Sequence, residues 1–270
     1  MNNPIVNIVT VIQARTGSTR FPNKVLYQLA GKSVLSRMVE RVNAARLVGQ
    51  VVVATTYEKE DDAIFEICNT ENIECFRGHP TDLLDRHYKA GLKYNADAVI
   101  KIPSDCPLID PRIIDRVIKY FINNQDKFVY VSNLHPATYP DGNDVELIRM
   151  DVLKIAKFKA VKNYEKEHTT PFFWENPDKF RIGNVVWETG LDFSMSHRWT
   201  LDYEEDYKFI KTVFEELYFN NPYFSLDDIL DLLKRKPEIE EINKKFAGVN
   251  WYRDYIGELK TITANQTRVI

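Results

Sequence analysis

No stretch of this 270-residue chain is apolar enough to cross a bilayer. Runs such as Val51-Val52-Val53-Ala54 fall far short of the roughly 18 residues that a spanning helix needs. The opening Met1-Asn2-Asn3-Pro4 lacks the basic and apolar regions of a secretory signal, so a cytoplasmic protein with no membrane partner is expected. Cysteine is scarce: Cys68, Cys75 and Cys106 form no CxxC pair and no even framework. That excludes a disulfide scaffold and fits free thiols in a reducing compartment. The 5 histidines include no HExxH and no close pair, which argues against zinc. Basic excess is missing too, with 36 Lys plus Arg against 39 Asp plus Glu and a net charge of −3, so nucleic acid is not an expected partner. Neither GxxxxGK[ST] nor GxGxxG occurs, and no internal repeat or low-complexity tract is present.

What the chain does have is an ordinary globular composition, 44% hydrophobic and 28% charged. Its length fits one large domain, or one domain with a smaller appendage, and a chain this long buries a sizeable core without staples. The first half alternates β-rich runs with helical patterns. Strands are expected at Ile5–Gln13, Gln50–Thr55, Ile73–Phe76, Ala98–Ile102 and Lys127–Ser132. Helices are expected at Ser33–Leu47, Asp61–Glu71, Leu83–Tyr94 and Pro111–Phe121, the last with proline in its first turn. Such alternation predicts right-handed βαβ units and a mainly parallel sheet between helices: an α/β, three-layer Rossmann-like sandwich. Further on, Asp144–Arg149 reads as an edge strand and Met150 to about Lys162 as a helix. Phe180–Trp187 and Arg198–Leu201 read as strands, and the stretches from Glu204, Asp227–Lys234 and Glu238–Phe246 as helices. The expected organisation is a single domain over 1–250, with an aromatic-rich insert at about 134–197 serving substrate or a second subunit, and a tail over 251–270.

In parallel α/β sheets ligands bind beyond the carboxyl ends of the strands, so the loops after strands hold the candidates. After the first strand comes Ala14-Arg15-Thr16-Gly17-Ser18-Thr19-Arg20-Phe21-Pro22-Asn23-Lys24. Glycine lets backbone amides approach a ligand, hydroxyls donate to oxygen, and Arg and Lys bring forked and point positive charge. This is the equipment of a polyphosphate site, although a solvated basic loop has the same composition. After the second strand stand Thr55, Thr56 and Tyr57. After the third, Arg77 and Arg86 flank a helix start, a setting suited to anions; a surface position is the commoner fate of such an arginine. Ser104-Asp105-Cys106-Pro107 follows the fourth. Asp105 there is a Mg²⁺ ligand or a turn residue, and Asp202, at a strand-to-helix change, is a second ligand or a helix N-cap. Together these features point to a nucleoside triphosphate with Mg²⁺.

Several segments resemble the cytidylyltransferases that make CMP-sugars, of 3-deoxy-manno-octulosonate and acylneuraminate type, and most of all the SpsF-like branch of polysaccharide biosynthesis. They are QARTGSTRFPNKVL (13–26), VVVATT (51–56), FRGHPTDLLDRHYKA (76–90), SDCPLIDP (104–111), EHTTPF (167–172) and WTLDYEEDYKFI (199–210). The resemblance implies a nucleotidyltransferase fold, dimeric through an inserted arm, that activates a sugar acid with CTP and releases pyrophosphate. It implies that Arg15, Ser18, Arg20 and Lys24 hold the CTP phosphates, within a nucleotide site that includes Ala14, Gly17, Thr55, Arg77, Arg86 and Ser104. Asp105 and Asp202 would bind Mg²⁺, with Arg15 and Lys24 as catalytic cations. Glu167 and His168, and also Asp144 and Glu146, would lie by the sugar. Val25 departs from the Asn that acylneuraminate-type enzymes often carry, and their extra glycine near Phe21 is absent. Two other readings compete: a nucleotide-sugar glycosyltransferase, whose DxD lacks its second carboxylate here, where the chain reads Ser104-Asp105-Cys106, and a non-catalytic nucleotide sensor.

Overall fold

The computed structural model describes residues 7–269, so Ile5 and Val6 of the first expected strand lie outside the described residues. In chain order the first elements are β1 (Ile8–Gln13), the hairpin of β2 (Gln28–Leu29) and β3 (Lys32–Ser33), α1 (Val34–Asn43), β4 (Gln50–Thr56), α2 (Asp62–Thr70), β5 (Cys75–Gly78), α3 (Leu83–Lys93), β6 (Ala98–Pro103) and α4 (Pro111–Asn123). Then come β7 (Tyr130–Ser132), β8 (Glu146–Arg149), α5 (Met150–Lys159), α6 (Asn163–His168), α7 (Pro171–Trp174), β9 (Ile182–Asn184), α8 (Glu204–Leu217), α9 (Leu226–Arg235) and α10 (Tyr252–Tyr255). The main sheet runs in the order β5-β4-β1-β6-β8-β7-β9, and β8 is antiparallel to both its neighbours. This is an α/β architecture with a mixed, mainly parallel sheet, as the alternation of strands and helices predicts.

The strands are near-continuous apolar runs because both faces are covered. Along β1 the side chains alternate: Ile8 and Ile12 join a core with α1, α4, α8 and α9, while Val9 and Val11 join another with α3, α5 and α7. Capping fixes the helix starts. The Ser33 hydroxyl accepts from the Ser36 amide at 3.0 Å ahead of α1, and Asp110 accepts from the Arg112 amide at 2.8 Å with Pro111 in the first turn of α4. Arg41, fully buried, ties α1 to the loop after β6 and to the segment between α8 and α9 by donating to the carbonyls of Ile109 and Phe224 at 3.1 and 2.7 Å. Burial draws its pKa down to about 10.

Four expectations need correction. The strand at 146–149 is interior, between β6 and β7, because Lys101 and Tyr130 neutralise and hydrogen-bond its one buried charge, Glu146. Arg198–Leu201 forms no strand but a single bridge, Asp141 to Arg198, extended by backbone bonds to Asp141 and Asp105. Helix α5 stops at Lys159, since the Glu165 carboxylate accepts the amides of Val161 and Lys162 and starts α6 instead. Glu238–Phe246 is two 3₁₀ segments, Pro237–Ile242 and Lys244–Phe246. Residues 134–197 include β8 and β9 of the main sheet, and Leu259 and Ile262 near the C-terminus are buried in the core shared with α3 and α5.

Candidate active site

The register brings the ends of the central strands to one level. Gln13 at the end of β1 lies beside Ala54 of β4 and Pro103 of β6. The Ala14 amide donates to Ala54 at 3.0 Å and the Ser104 amide to Gln13 at 3.2 Å. The loops that follow therefore open side by side on a cleft of about 570 Å³.

The first loop is built to hold a lysine in place. Asp61, buried ahead of α2, accepts from the amide and hydroxyl of Thr16 at 2.7 and 2.8 Å and from the Thr56 hydroxyl. The Thr16 carbonyl accepts from the amides of Ser18 and Asn23 at 2.8 and 2.9 Å, closing the loop on itself. Asn23 sits in the left-handed region at φ 60°, which Asn tolerates, and turns Lys24 inward. The Lys24 ammonium then donates to the Leu201 carbonyl at 2.5 Å and to Asp202 at 2.9 Å, and stands 3.6 Å from Asp105.

Both carboxylates are free because other residues cap the neighbouring helices. Asp110 caps α4, so Asp105 is not used as a cap. Asp206 reaches back to accept the amides of Asp202 and Tyr203, both at 2.9 Å, which leaves the Asp202 side chain for cations. Three surround it: Lys24, Arg20 at 2.9 Å and Arg198 at 3.3 Å. Burial opposes its charge, yet these cations hold Asp202 well below the usual carboxylate range. Burial likewise opposes the Lys24 charge, and Asp202 with Asp105 raises its pKa nonetheless. The Asp105 carbonyl accepts from the Leu201 amide at 2.8 Å, which fixes the two acids on either side of Lys24.

Antiparallel β8 brings its beginning, not its end, to the same rim. Glu146 pairs in register with Lys101, accepts from Lys101 Nζ and accepts from Tyr130 at 2.6 Å. Asp144 and Asp141 stand just ahead of it. Gly142 makes this approach possible: it has φ 110°, and a Cβ there would meet the Trp199 carbonyl carbon at 2.7 Å. Burial and the Asp105 charge push Asp144 up to about 7. Burial and Asp144 push Asp141 well above its ordinary value.

The Asp144 shift has a consequence for stability. Between its ordinary 3.8 and about 7 the folded state binds the extra proton, so this group's contribution to stability falls as pH rises through that window and stays low above it. Asp144→Asn, without nucleotide or divalent cation, is expected to melt about 4 °C above the parent at pH 8, the scale of roughly 1–2 kcal/mol in a chain this size, and level with it near pH 4. Thermal melts across pH check this.

Of the residues singled out in the sequence, Ala14, Arg15, Ser18, Arg20, Lys24, Arg86, Ser104 and Asp105 line the cleft, as do Asp144, Glu146, Glu167, His168 and Asp202. Gly17, Thr55 and Arg77 do not. Gly17 is exposed and Thr55 is buried. Arg77 is held off the cleft by the carbonyls of Thr56 and Glu58 at 2.8 and 3.0 Å and by Asp62 at 2.7 Å. Arg86 lines the cleft but is buried, and donates to the carbonyls of His79 and Pro80 at 2.8 and 2.9 Å, pinning the loop between β5 and α3. Unforeseen were Asp61, Lys101, Asp141 and Arg198, and an aromatic wall of His135, Trp174, Trp251, Tyr252 and Tyr255. One signal was present for Arg198, which stands four residues before Asp202.

Chemically, the cleft sets cations against carboxylates. Arg15, exposed in it, and Arg20, 40% exposed, are placed for an anion. Asp105 and Asp202 already share one cation, with further acids beside them held toward the protonated form; this hard-oxygen set fits a divalent cation. Among the described residues no group of three or more His, Cys, Asp or Glu is arranged to hold a metal. No helix of the described residues is long and apolar enough to cross a membrane.

Comparison with known proteins gives a consistent result. The cytidylyltransferase family model matches residues 9–232. The chain is 33% identical over 238 residues to the uncharacterized protein MJ1063 of Methanocaldococcus jannaschii, covering 88% of this chain and 95% of that one. It is 28% identical over 238 residues to the spore coat polysaccharide biosynthesis protein SpsF of Bacillus subtilis, covering 86% and 96%. A solved cytidylyltransferase of Leptospira borgpetersenii superposes with a TM-score of 0.82 at 33% identity, covering 87% of this chain and 96% of that one.

Proposed function

The chain belongs to the cytidylyltransferase family, and from that premise we propose that it is a Mg²⁺-dependent enzyme that transfers CMP from CTP to a sugar acid, releases pyrophosphate and feeds surface polysaccharide biosynthesis. The observation that carries this reading is the Lys24 ammonium held between Asp105 and Asp202, at 3.6 and 2.9 Å, beneath a basic loop at the carboxyl ends of the central strands. The polysaccharide context rests on the name of the Bacillus subtilis relative, and the sugar acid on the resemblance of the segments quoted above.

Within the cleft, Lys24, Arg20 and Arg198 neutralise Asp202. A triphosphate would take up Arg15, Arg20 and Lys24, and Asp105 and Asp202 would then hold Mg²⁺. When bound, the metal would supply positive charge against the phosphate oxygens. In the reaction an acceptor oxygen bonds to the α-phosphorus of CTP while the bond to the β-phosphate bridging oxygen breaks in line. Negative charge grows on the departing pyrophosphate, and Lys24 and Arg15 stabilise it there. The loop closed by Asp61 and the Arg86-pinned segment keep these groups in position, which supplies much of the rate in such transfers.

The test is pyrophosphate release with each of CTP, UTP, ATP and GTP plus Mg²⁺ against a panel of 2-keto sugar acids. CTP-selective release with one acceptor is expected, and no release with any pair overturns the reading. Asp105→Asn is expected to fold normally and lose about 10²–10³-fold in Mg²⁺-dependent turnover, the scale of removing one group from a charge-stabilising site; full activity removes Asp105 from the metal site. The homodimer is part of the same proposal. Ile155, Phe158 and Val161 are 41%, 72% and 80% exposed on and after α5, an apolar surface that a second copy would cover. Light scattering on the eluting protein decides between one copy and two.

A further inference from the structure

Beyond Asp144 and Glu146 the cleft continues into a chamber whose outer wall is the C-terminal segment, outside the residues 9–232 matched by the family model. This segment is no loose tail. The Lys260 and Thr261 amides donate to Glu175 at 2.7 and 2.8 Å. Asn250 donates to the Gln266 carbonyl at 2.8 Å, and the Arg268 amide to Gly248 at 2.7 Å. Leu259 and Ile262 are buried beneath it.

So fastened, the segment presents aromatic rings to the cleft. Trp251 stacks on His168 with centroids 3.8 Å apart and planes 13° apart. Tyr252 packs edge-on against Trp174 at 6.0 Å. The Tyr255 hydroxyl donates to Glu167 at 3.1 Å. Trp251, Tyr252 and Tyr255 each remain half-buried, and all three line the cleft.

We infer that this strap forms the acceptor subsite and sets acceptor selectivity, taking a saccharide ring. The inference rests on the proposed transfer to a sugar and assigns part of that site to a segment beyond the family's common body. The chemistry at the two ends of the cleft separates the substrates. Arg15, Arg20 and Lys24 crowd the end at β1, where a triphosphate is neutralised. The strap end holds Asp144, Glu167 and Asp254, with the amides Asn265 and Gln266, side chains that donate and accept hydrogen bonds where the β1 end offers a cluster of cations. A sugar suits it: its C–H face lies on aromatic surface, and its hydroxyls donate to carboxylates. Pockets of this kind combine apolar walls with a few polar groups that fix orientation.

The experiment compares the parent with Trp251→Ala, Trp251→Phe and Tyr255→Phe in steady-state transfer, varying CTP and acceptor separately. Trp251→Ala is expected to raise the acceptor KM about tenfold or more and to leave the CTP KM within about twofold. Trp251→Phe keeps a ring and is expected to stay near the parent. Tyr255→Phe, which frees Glu167, raises the acceptor KM by a smaller factor. Should Trp251→Ala melt early, Trp251→Leu keeps apolar bulk without a ring and is judged on the same two KM values. An unchanged acceptor KM, or a CTP KM that rises in step with it, overturns the inference and leaves the cytidylyltransferase reading intact. A parent that transfers to no acceptor overturns that reading, and the inference with it.

Discussion

Replacing Lys24 with alanine is expected to lower kcat/KM for CTP by about three orders of magnitude while the chain still folds. Three observations set the size of this effect. The ammonium is buried and lies between two cleft carboxylates, at 2.9 Å from Asp202 and 3.6 Å from Asp105. Its positive charge is secured by those acids against the pull of burial. It also sits at the base of the loop where a triphosphate would be neutralised, so its charge acts on the group that gains charge in the transition state, where one such group is worth about 10²–10³ in rate. Loss of the acceptor contacts would spare the nucleotide; loss of Lys24 would not, so CTP binding by calorimetry weakens alongside turnover. Folding survives because Arg20 and Arg198 still neutralise Asp202. Lys24→Arg is not expected to rescue activity: the buried position holds a compact ammonium bonded to Asp202 and the Leu201 carbonyl, and the larger guanidinium presents its charge differently. Activity of Lys24→Ala within tenfold of the parent would show that the loop lysine is not part of the chemistry.

The second large effect is on the fold itself. Arg198 has a side chain only 1% exposed, and its guanidinium holds Asp206 at 2.9 Å, Asp202 at 3.3 Å and the carbonyl of Val249 at 2.6 Å. Asp206 is itself fully buried and organises the start of α8. Arg198→Met leaves Asp206 as a buried charge with only Asn243 and two backbone amides for partners. Removing one member of such a pair costs about 3–5 kcal/mol, so the variant is expected to melt about 10 °C lower. It also loosens Val249, the residue ahead of the strap, and Asp202, so turnover falls with stability. Arg198→Met together with Asp206→Leu removes both charges and is expected to regain most of the lost stability but not the activity. An unaltered melting temperature in Arg198→Met would show that this network is not structural.

Much of this was legible in the sequence where a local rule sufficed. The apolar runs of β1, β4 and β6 alternate with helix periodicity, and the loops after them carried Arg15, Lys24 and Asp105 to the cleft, as the geometry of parallel sheets requires. That same rule does not reach Asp144 and Glu146, which the resemblance alone singled out, and it missed Asp141: all three lie before or at the start of β8, and only reversed pairing with β6 turns that start toward the cleft. Lys101 was unreadable for a related reason: it lies inside a strand, and only the register reveals Glu146 across from it. Arg77 and Arg86 stand near a helix start, a setting that suits anions; their guanidiniums also satisfy loop carbonyls, off the cleft for Arg77 and at its wall for Arg86, a role set by tertiary approach. The strap was missed because residues 251–270 follow the last clear helix pattern, and its anchor, Glu175, is far away in the chain.

Phosphorus NMR of one reaction mixture tests the central claim most directly. Protein, CTP, Mg²⁺ and the accepted sugar acid are followed in time. The account requires the three CTP resonances to give way to pyrophosphate and one new phosphodiester signal in equal amounts, because attack falls on the α-phosphorus beside Lys24, Asp105 and Asp202. CDP with orthophosphate, or three CTP resonances that stay unchanged with every acceptor, would contradict it.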